Sequence, residues 1–321
     1  MNSLQSYFWG FVYNSLVAAC WLQNRKVTSQ LWHALWKRSC AAYTGSVETT
    51  LHGRRAFVNN GYPYPIIARR FPAFNNPLIE LVHQKYTTAG RPIGFVDVGS
   101  SVGDTILMLM ANCPGMIDAV FCVEGDPYFF SLLEQNLAFV KEKNLFCALL
   151  SSEEGAEKEL VRTHAGTASS LGNALKTATT LDALIGTGRK KKIDVLKIDV
   201  DGFDGKVLGG ARRVIAADNP DIIFEWHPLL CIRTGNDWSG HFELLSTNGY
   251  NTFLFFTKFG EFSHFMEGND RRSVAMLADL CINSTTYEDW HYDVIALHSA
   301  SVLSPRSLAD AKFAHSKRSP F

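Results

Sequence analysis

FVDVGSSVGDT, residues 95–105, decides how the chain is to be read. An apolar run carries Asp97 near its end, and a turn holding Gly99 and Gly103 follows. The pattern predicts a strand, a tight turn and a helix that begins near Val102. Two glycines at such a turn let the backbone come close to a ligand at the helix N-terminus. Their spacing is G-x-x-x-G, so the G-x-G-x-x-G cradle for a pyrophosphate is not met.

Downstream, VEGD (123–126) ends a second apolar run in Glu124. An acid at that strand end can accept hydrogen bonds from both ribose hydroxyls of an adenosine ligand. It would serve a nicotinamide dinucleotide as well as S-adenosylmethionine; the looser Gly turn suits the cofactor without phosphates. The third constellation is LKIDVDGFD (196–204), a buried strand that runs into Asp199, Asp201 and Asp204. Asp199 and Asp201 alternate with Val200 and project to one side. The next strand ends in Glu225, Trp226 and His227. Neighbouring strand ends would bring Asp199, Asp201, Glu225 and His227 to one mouth, where ligands sit in open α/β sheets. Two uses are open. A divalent metal could be held by Asp199, Asp201 and Glu225, or His227 or a carboxylate could act as general base. Asp204 reads as a favourable acid in the first turn of the next helix.

Around these motifs, seven short apolar runs alternate with helical patterns: 93–98, 118–124, 145–150, 193–200, 221–227, 251–257 and 293–298. Such alternation indicates an α/β, doubly wound, mainly parallel sheet covered on both faces. Residues 91–300 make this domain. Residues 51–90 are a lead-in rich in Pro, Asn and Gly, ending in a helix with Pro77 in its first turn. Residues 301–321 are polar and basic and read as a flexible tail. Phe253, Phe255, Phe256, Phe259, Phe262 and Phe265 lie between the last two runs, as sugar-stacking rings or as a packed hairpin.

Residues 1–50 read as an aromatic-rich helical extension, with Trp9, Trp21, Trp32 and Trp36. The charge-free core, residues 4–22, has the length of a bilayer span. Gln5, Ser6, Asn14 and Ser15 fall around its whole wheel, which favours a buried or interfacial helix. Arg25, Lys26, Lys37 and Arg38 would hold the rest of the chain in the cytoplasm if it spanned. Membrane association through 4–22 thus stays open. Lys plus Arg equals Asp plus Glu at 31 each, which argues against nucleic acid as partner. Seven scattered cysteines with no C-x-x-C pair read as free thiols in a reducing compartment.

The segments FVDVGSSVGDT, VEGDPYFFSLLEQN, TTLDALI, IDVLKIDVDGFDGKVLGGA and PDIIFEWH resemble the FkbM family of S-adenosylmethionine-dependent methyltransferases. The resemblance covers about 91 to 298. It departs mildly at Asp201 and Asp204, where Glu is usual, and at Ser101, where Asn is usual. It implies a seven-stranded, Rossmann-like class I methyltransferase fold and cofactor contacts at Asp97, Gly99, Ser101, Gly103 and Glu124. It suggests O-methylation of a hydroxyl on a sugar, glycan or natural product; the catalytic candidates are those read from the strand ends, His227, Asp199 and Glu225. Two rivals are a catalytically silent methyltransferase fold that binds without turnover, and a NAD-dependent oxidoreductase. The second lacks both a third turn glycine and a Tyr-x-x-x-Lys beyond residue 150.

Overall fold

The computed structural model describes residues 3–24, 26–158, 160–164, 167–169, 172, 174–186, 189–284 and 289–310. Its centre is a mixed sheet whose strands are β1 (Ile93–Val98), β2 (Ile117–Glu124), β3 (Lys143–Cys147), β4 (Val195–Ile198), β5 (Asp221–Trp226), β6 (Tyr250–Thr257), β7 (Phe262–Glu267) and β8 (Tyr292–His298). They lie in the order β3-β2-β1-β4-β5-β8-β6-β7. The first five in space are parallel, β8 is antiparallel to both neighbours, and β7 closes the edge as a hairpin with β6.

The expected count of seven is therefore corrected to eight among the described residues. All seven predicted strands are present; the inner ones are apolar runs buried on both faces, whereas β3, at the edge of the sheet, is only partly buried. The eighth, β7, escapes that test. It is an edge strand whose Phe262 and Phe265 face outward while Met266 packs inward. Phe253 and Phe255 of β6 are fully buried, so for those two the packing alternative holds. The predicted run 145–150 divides. The Ala148 N–H bonds to the Glu124 carbonyl, after which Leu149–Leu150 joins a small sheet with Leu175–Thr179 and Gly155–Lys158.

Helix ends follow local chemistry. Asp126 accepts the N–H groups of Tyr128 and Phe129 ahead of Pro127, and Thr180 accepts that of Ala183. The helix Asn76–Ala89 starts with Pro77 and ends at Gly90 in the left-handed region.

Two apolar cores flank the sheet. One holds Val96, Val98, Ile198 and Phe224; the other holds Phe95, Val195 and Ile223, with Tyr13, Trp32, Val47 and Val58 packed into it. The N-terminal segment is thus built onto one sheet face. Helix α1 (Ser3–Ala18), a 3-10 turn at Cys20–Asn24 and helix α2 (Lys26–Ala42) precede a hairpin, Ser46–Leu51 with Arg54–Asn59. That hairpin crosses the expected boundary at residue 50. Its turn is made by His52 and Gly53 at positive φ, a signal masked by the surrounding polar residues. Asn136 fastens it to the sheet domain: its side chain bonds the N–H and carbonyl of Phe57 and the carbonyl of Val102.

The charge-free stretch 4–22 does not form one helix. It breaks after Ala18, and Tyr13 and Val17 are buried. Among the described residues no helix is long and apolar enough to cross a membrane. The expected tail also needs correction. Residues 305–309 form a helix, and Leu303 and Leu308 are buried; residues 311–321 lie outside the described residues.

Candidate active site

The polar residues of the site share one sheet face because side chains alternate along each strand. Phe95, Val195 and Ile223 mark the face covered by the N-terminal segment. Two residues further along each strand or its extension stand Asp97, Lys197 and Glu225. Asp97 pairs in register with Lys197, and Glu225 with Asp293 of β8. This layer lies at the carboxyl ends of β1 and β4, where the connections leave in opposite directions and a crevice opens.

Two adjoining cavities occupy the crevice. The larger, about 200 Å³, is lined by Gly99, Ser101, Glu124, Ala148, Leu149 and Asp201, among others. The smaller, about 130 Å³, is lined by Tyr64, Phe74, Glu225 and Asp293, among others. Asp104, Thr105, Lys197 and Asp199 belong to both.

Glu124 is buried at the end of β2. Its carboxylate accepts the N–H of Ser101 at 2.8 Å and that of Asp126 at 2.7 Å. Burial pushes its pKa up to about 7, against the lowering effect of those two bonds. Ser101 reaches this position with φ at 45°. Asn tolerates that region better than Ser, which accounts for the usual residue there. Gly99 has φ at +81°, and a Cβ would stand 1.8 Å from the Asp199 carbonyl oxygen. The close approach of the β1 and β4 ends by itself requires glycine here. Gly103 has φ at +85° and packs against Leu133 and Leu137, away from the cavity lining.

Lys197 is the central cation. Its ammonium lies 3.3 Å from Asp97 and 3.2 Å from Asp199. Burial would lower its pKa, but Asp199, Asp97 and Asp104 outweigh burial and raise it. Burial raises Asp104 to about 6 and Asp293 to about 7, the latter with help from Asp199. Burial, then Asp199 and Asp201, holds Glu225 well above the usual carboxylate range. Its buried Oε2 has no hydrogen-bond partner. Carboxyl groups thus outnumber cations in the site, and burial holds the protons of several of them up to or beyond neutral pH.

The sequence-derived candidates divide. Gly99, Ser101, Glu124, Asp199 and Asp201 line the larger cavity, and Asp199 and Glu225 the smaller. Asp97 sits beneath, against Lys197. Asp204 is fully buried at the start of helix Asp204–Gly209, as its first-turn place predicts. His227 lines neither cavity. It is buried, its Nδ1 accepts the N–H of Leu230 at 3.3 Å, and its Nε2 lies 2.7 Å from Asp289. Both ring nitrogens are engaged, so the role of base does not fall to it in this arrangement.

The expected metal set is not assembled either. Among the described residues, Asp199, Asp201 and Glu225 do not bring three ligand atoms within reach of one ion; His227, Asp289 and His291 do. That trio fits a cation poorly. Lys258 already sits 3.3 Å from the free oxygen of Asp289. Nδ1 of His227 must also stay unprotonated to accept from Leu230, which puts the proton on the nitrogen a metal would need.

Sequence reasoning missed Lys197, Asp104, Asp293 and Tyr62, the last of which also lines the larger cavity. Lys197 alternates with Asp199, a signal hidden because a lysine inside an apolar strand looks like a solvated end. Asp104 stands in the opening motif as an ordinary first-turn acid. Tyr62 and Asp293 come from segments far away in sequence.

Residues 97–252 match the family model described as Methyltransferase FkbM domain. No curated protein matches the chain. Among solved structures it is similar to methyltransferase FkbM from Methylobacillus flagellatus KT, at 17% identity and TM-score 0.40. That alignment covers 64% of this chain and 43% of the other, so the chain spans under half of that structure's length. It is also similar to the plantazolicin methyltransferase BamL, solved with a triazolic desmethylPZN analog and SAH, at 8% identity and TM-score 0.37, covering 91% and 98%. A third is M. capricolum TrmK with S-adenosyl-homocysteine, at 8% identity and TM-score 0.32, covering 71% and 72%.

Proposed function

Residues 97–252 belong to the methyltransferase FkbM domain family, and from that premise we propose that the protein methylates a hydroxyl of a small-molecule or glycan acceptor, using S-adenosylmethionine. The observation that carries the reading is the joining of two cavities through Asp104, Thr105, Lys197 and Asp199. The larger takes the cofactor. Glu124 accepts from both ribose hydroxyls, Ala148, Leu149 and Leu150 form the adenine wall, and the backbone at Gly99 and Ser101 borders the remainder. When bound, S-adenosylmethionine supplies an electrophilic methyl group on a cationic sulfur.

The smaller cavity takes the acceptor. Asp199 faces both cavities and its side chain is 48% exposed, so it can meet an incoming hydroxyl and receive its proton. Lys197 holds Asp199 in place. Glu225, held protonated by burial, donates a hydrogen bond to an acceptor oxygen, and Asp293, raised to about 7, does the same below that pH; Tyr64 and Phe74 give the acceptor an apolar wall. His227 acts from behind as a positioning residue. It stacks on His291 with ring centroids 4.9 Å apart, and His291 lies 3.3 Å from Glu225. Alignment of hydroxyl and methyl between the cavities carries much of the rate.

The test uses the full chain, labelled S-adenosylmethionine and fractionated small-molecule and glycan extracts. The parent protein should label a fraction that Asp199→Asn does not, while both bind the cofactor by calorimetry. Equal labelling by the variant removes Asp199 from the chemistry. A parent that binds no S-adenosylmethionine would favour the silent fold.

A further inference from the structure

We infer that the outward faces of α1 and α2 form a peripheral docking surface for an anionic lipid bilayer. This does not depend on the methyl-transfer reading. Along α1, Leu4, Tyr7, Phe8 and Phe11 are 82%, 71%, 58% and 73% exposed. Their i, i+3, i+4, i+7 spacing puts them in one stripe. Along α2, Val27, Leu31 and Leu35 repeat every fourth residue and are exposed, and Trp21 protrudes from the turn between the helices.

These side chains are not a core awaiting a partner from the same chain, because the inward faces are already occupied. Tyr13, Val17 and Trp32 are buried; the Tyr13 hydroxyl bonds the Tyr62 carbonyl at 2.8 Å, and the Trp32 indole bonds the Leu16 carbonyl at 2.9 Å. The helices are therefore fixed to the body and carry a second apolar face. The four exposed aromatics alone present on the order of 500 Å² of ring surface, at the upper end of what a monomer leaves to water.

Charge selects the occupant. Residues 1–47 contain no Asp or Glu and carry Arg25, Lys26, Lys37 and Arg38, in a chain whose total charge is zero. Arg69 and Arg70 add to this side, bonding Val17 and Gln23 of the N-terminal segment. Glu48, the first acid along the chain, is paired with Arg55. A second copy of the same face would bring cations against cations. An anionic lipid surface complements them, and rings beside basic residues are the composition that settles at a headgroup boundary. The helix then lies in the interface, which needs no bilayer-spanning length.

The experiment is flotation of the full chain with phosphatidylcholine vesicles, either pure or containing about one third phosphatidylserine. Binding should favour the anionic vesicles, weaken at high salt, and shift Trp21 into reach of brominated lipid. Phe8→Ser with Phe11→Ser should cut partitioning at least about ten-fold. Its thermal unfolding should not change, since neither ring is in the core. Lys37→Ser with Arg38→Ser should reduce the preference for phosphatidylserine. Failure of the parent to float with anionic vesicles at low salt overturns the proposal. So does equal flotation of the double phenylalanine variant, or self-association in the absence of lipid that this variant abolishes.

Discussion

Replacing Glu124 by Gln separates what this side chain does for the fold from what it does for a ligand. Its two oxygens accept the N–H groups of Ser101 and Asp126. An amide keeps one acceptor oxygen and turns an NH₂ towards the other N–H, at a cost of about 1–3 kcal/mol. Against this, the amide never ionises. The carboxyl has a folded pKa of about 7 against an ordinary 4.5. The folded protein thus holds a proton that the unfolded chain has shed between those values. Its contribution to stability is complete below 4.5 and is lost as pH rises to 7, about 3 kcal/mol in all. At pH 8 the two effects offset, and the variant should unfold near the parent temperature. Cofactor binding has no such compensation. Losing one of two hydrogen bonds from ribose to a charged acceptor costs about 2 kcal/mol, some thirty-fold in Kd. The parent should also bind about ten-fold more weakly at pH 6 than at pH 8, as the carboxylate takes up its proton. The variant should lose most of that dependence. Calorimetric titration of S-adenosylmethionine into both proteins at the two pH values decides it. A variant that binds within about three-fold of the parent at pH 8, or keeps the full pH slope, would refute the ribose role.

Gly99→Ala forces a methyl group to 1.8 Å from the Asp199 carbonyl at a φ of +81°; urea unfolding should show a loss of at least about 3 kcal/mol, and a near-neutral result would mean that β1 and β4 separate easily. Asn136→Ala removes two hydrogen bonds between the N-terminal hairpin and the sheet domain, and one to the Val102 carbonyl within that domain. It should cost about 2–4 kcal/mol by chemical denaturation, and a loss under about 1 kcal/mol would show the clasp to be redundant. Asp293 also has a folded value near 7, from burial and Asp199, so stability should fall as pH rises from 6.5 to 8, by about 1 kcal/mol for this group. Thermal unfolding of Asp293→Asn should show a shallower fall; an unchanged slope would place that proton elsewhere. Methyl transfer should survive extensive chelation, and activity lost to chelator and restored by a divalent ion would reinstate a metal role.

The sheet was legible because its inner strands are long apolar runs, and the Gly turn and Glu124 because their spacing reflects the backbone geometry they serve. Asp199 and Glu225 could be placed at one mouth from strand order alone. His227 could not be judged that way: its position at a strand end is right, but its ring turns back to cap the following helix, and only packing decides that. Tyr62 and Asp293 were invisible for another reason. They reach the crevice from a loop before the sheet and from β8, and nothing local marks a residue whose partners, Ser101 and Asp104 for Tyr62 and Glu225 for Asp293, lie so far along the chain. The hairpin at 46–59 and the docked Leu308 were lost to composition, since polar and basic residues surround the few apolar ones that anchor them.

The position of β8 bears on how the chain reaches its native state. Among the described strands of the sheet it is the last in chain order, yet it lies between β5 and β6, made well before it. The sheet therefore cannot be zipped up in the order of synthesis. Until residues 292–298 arrive, β5 and β6 must wait with open edges, or pair with each other out of register. Both are exposed to association with other chains. The final insertion also brings Asp293 beside Glu225. Completion of the sheet and completion of the smaller cavity are therefore one event, and a chain clipped before residue 292 lacks both.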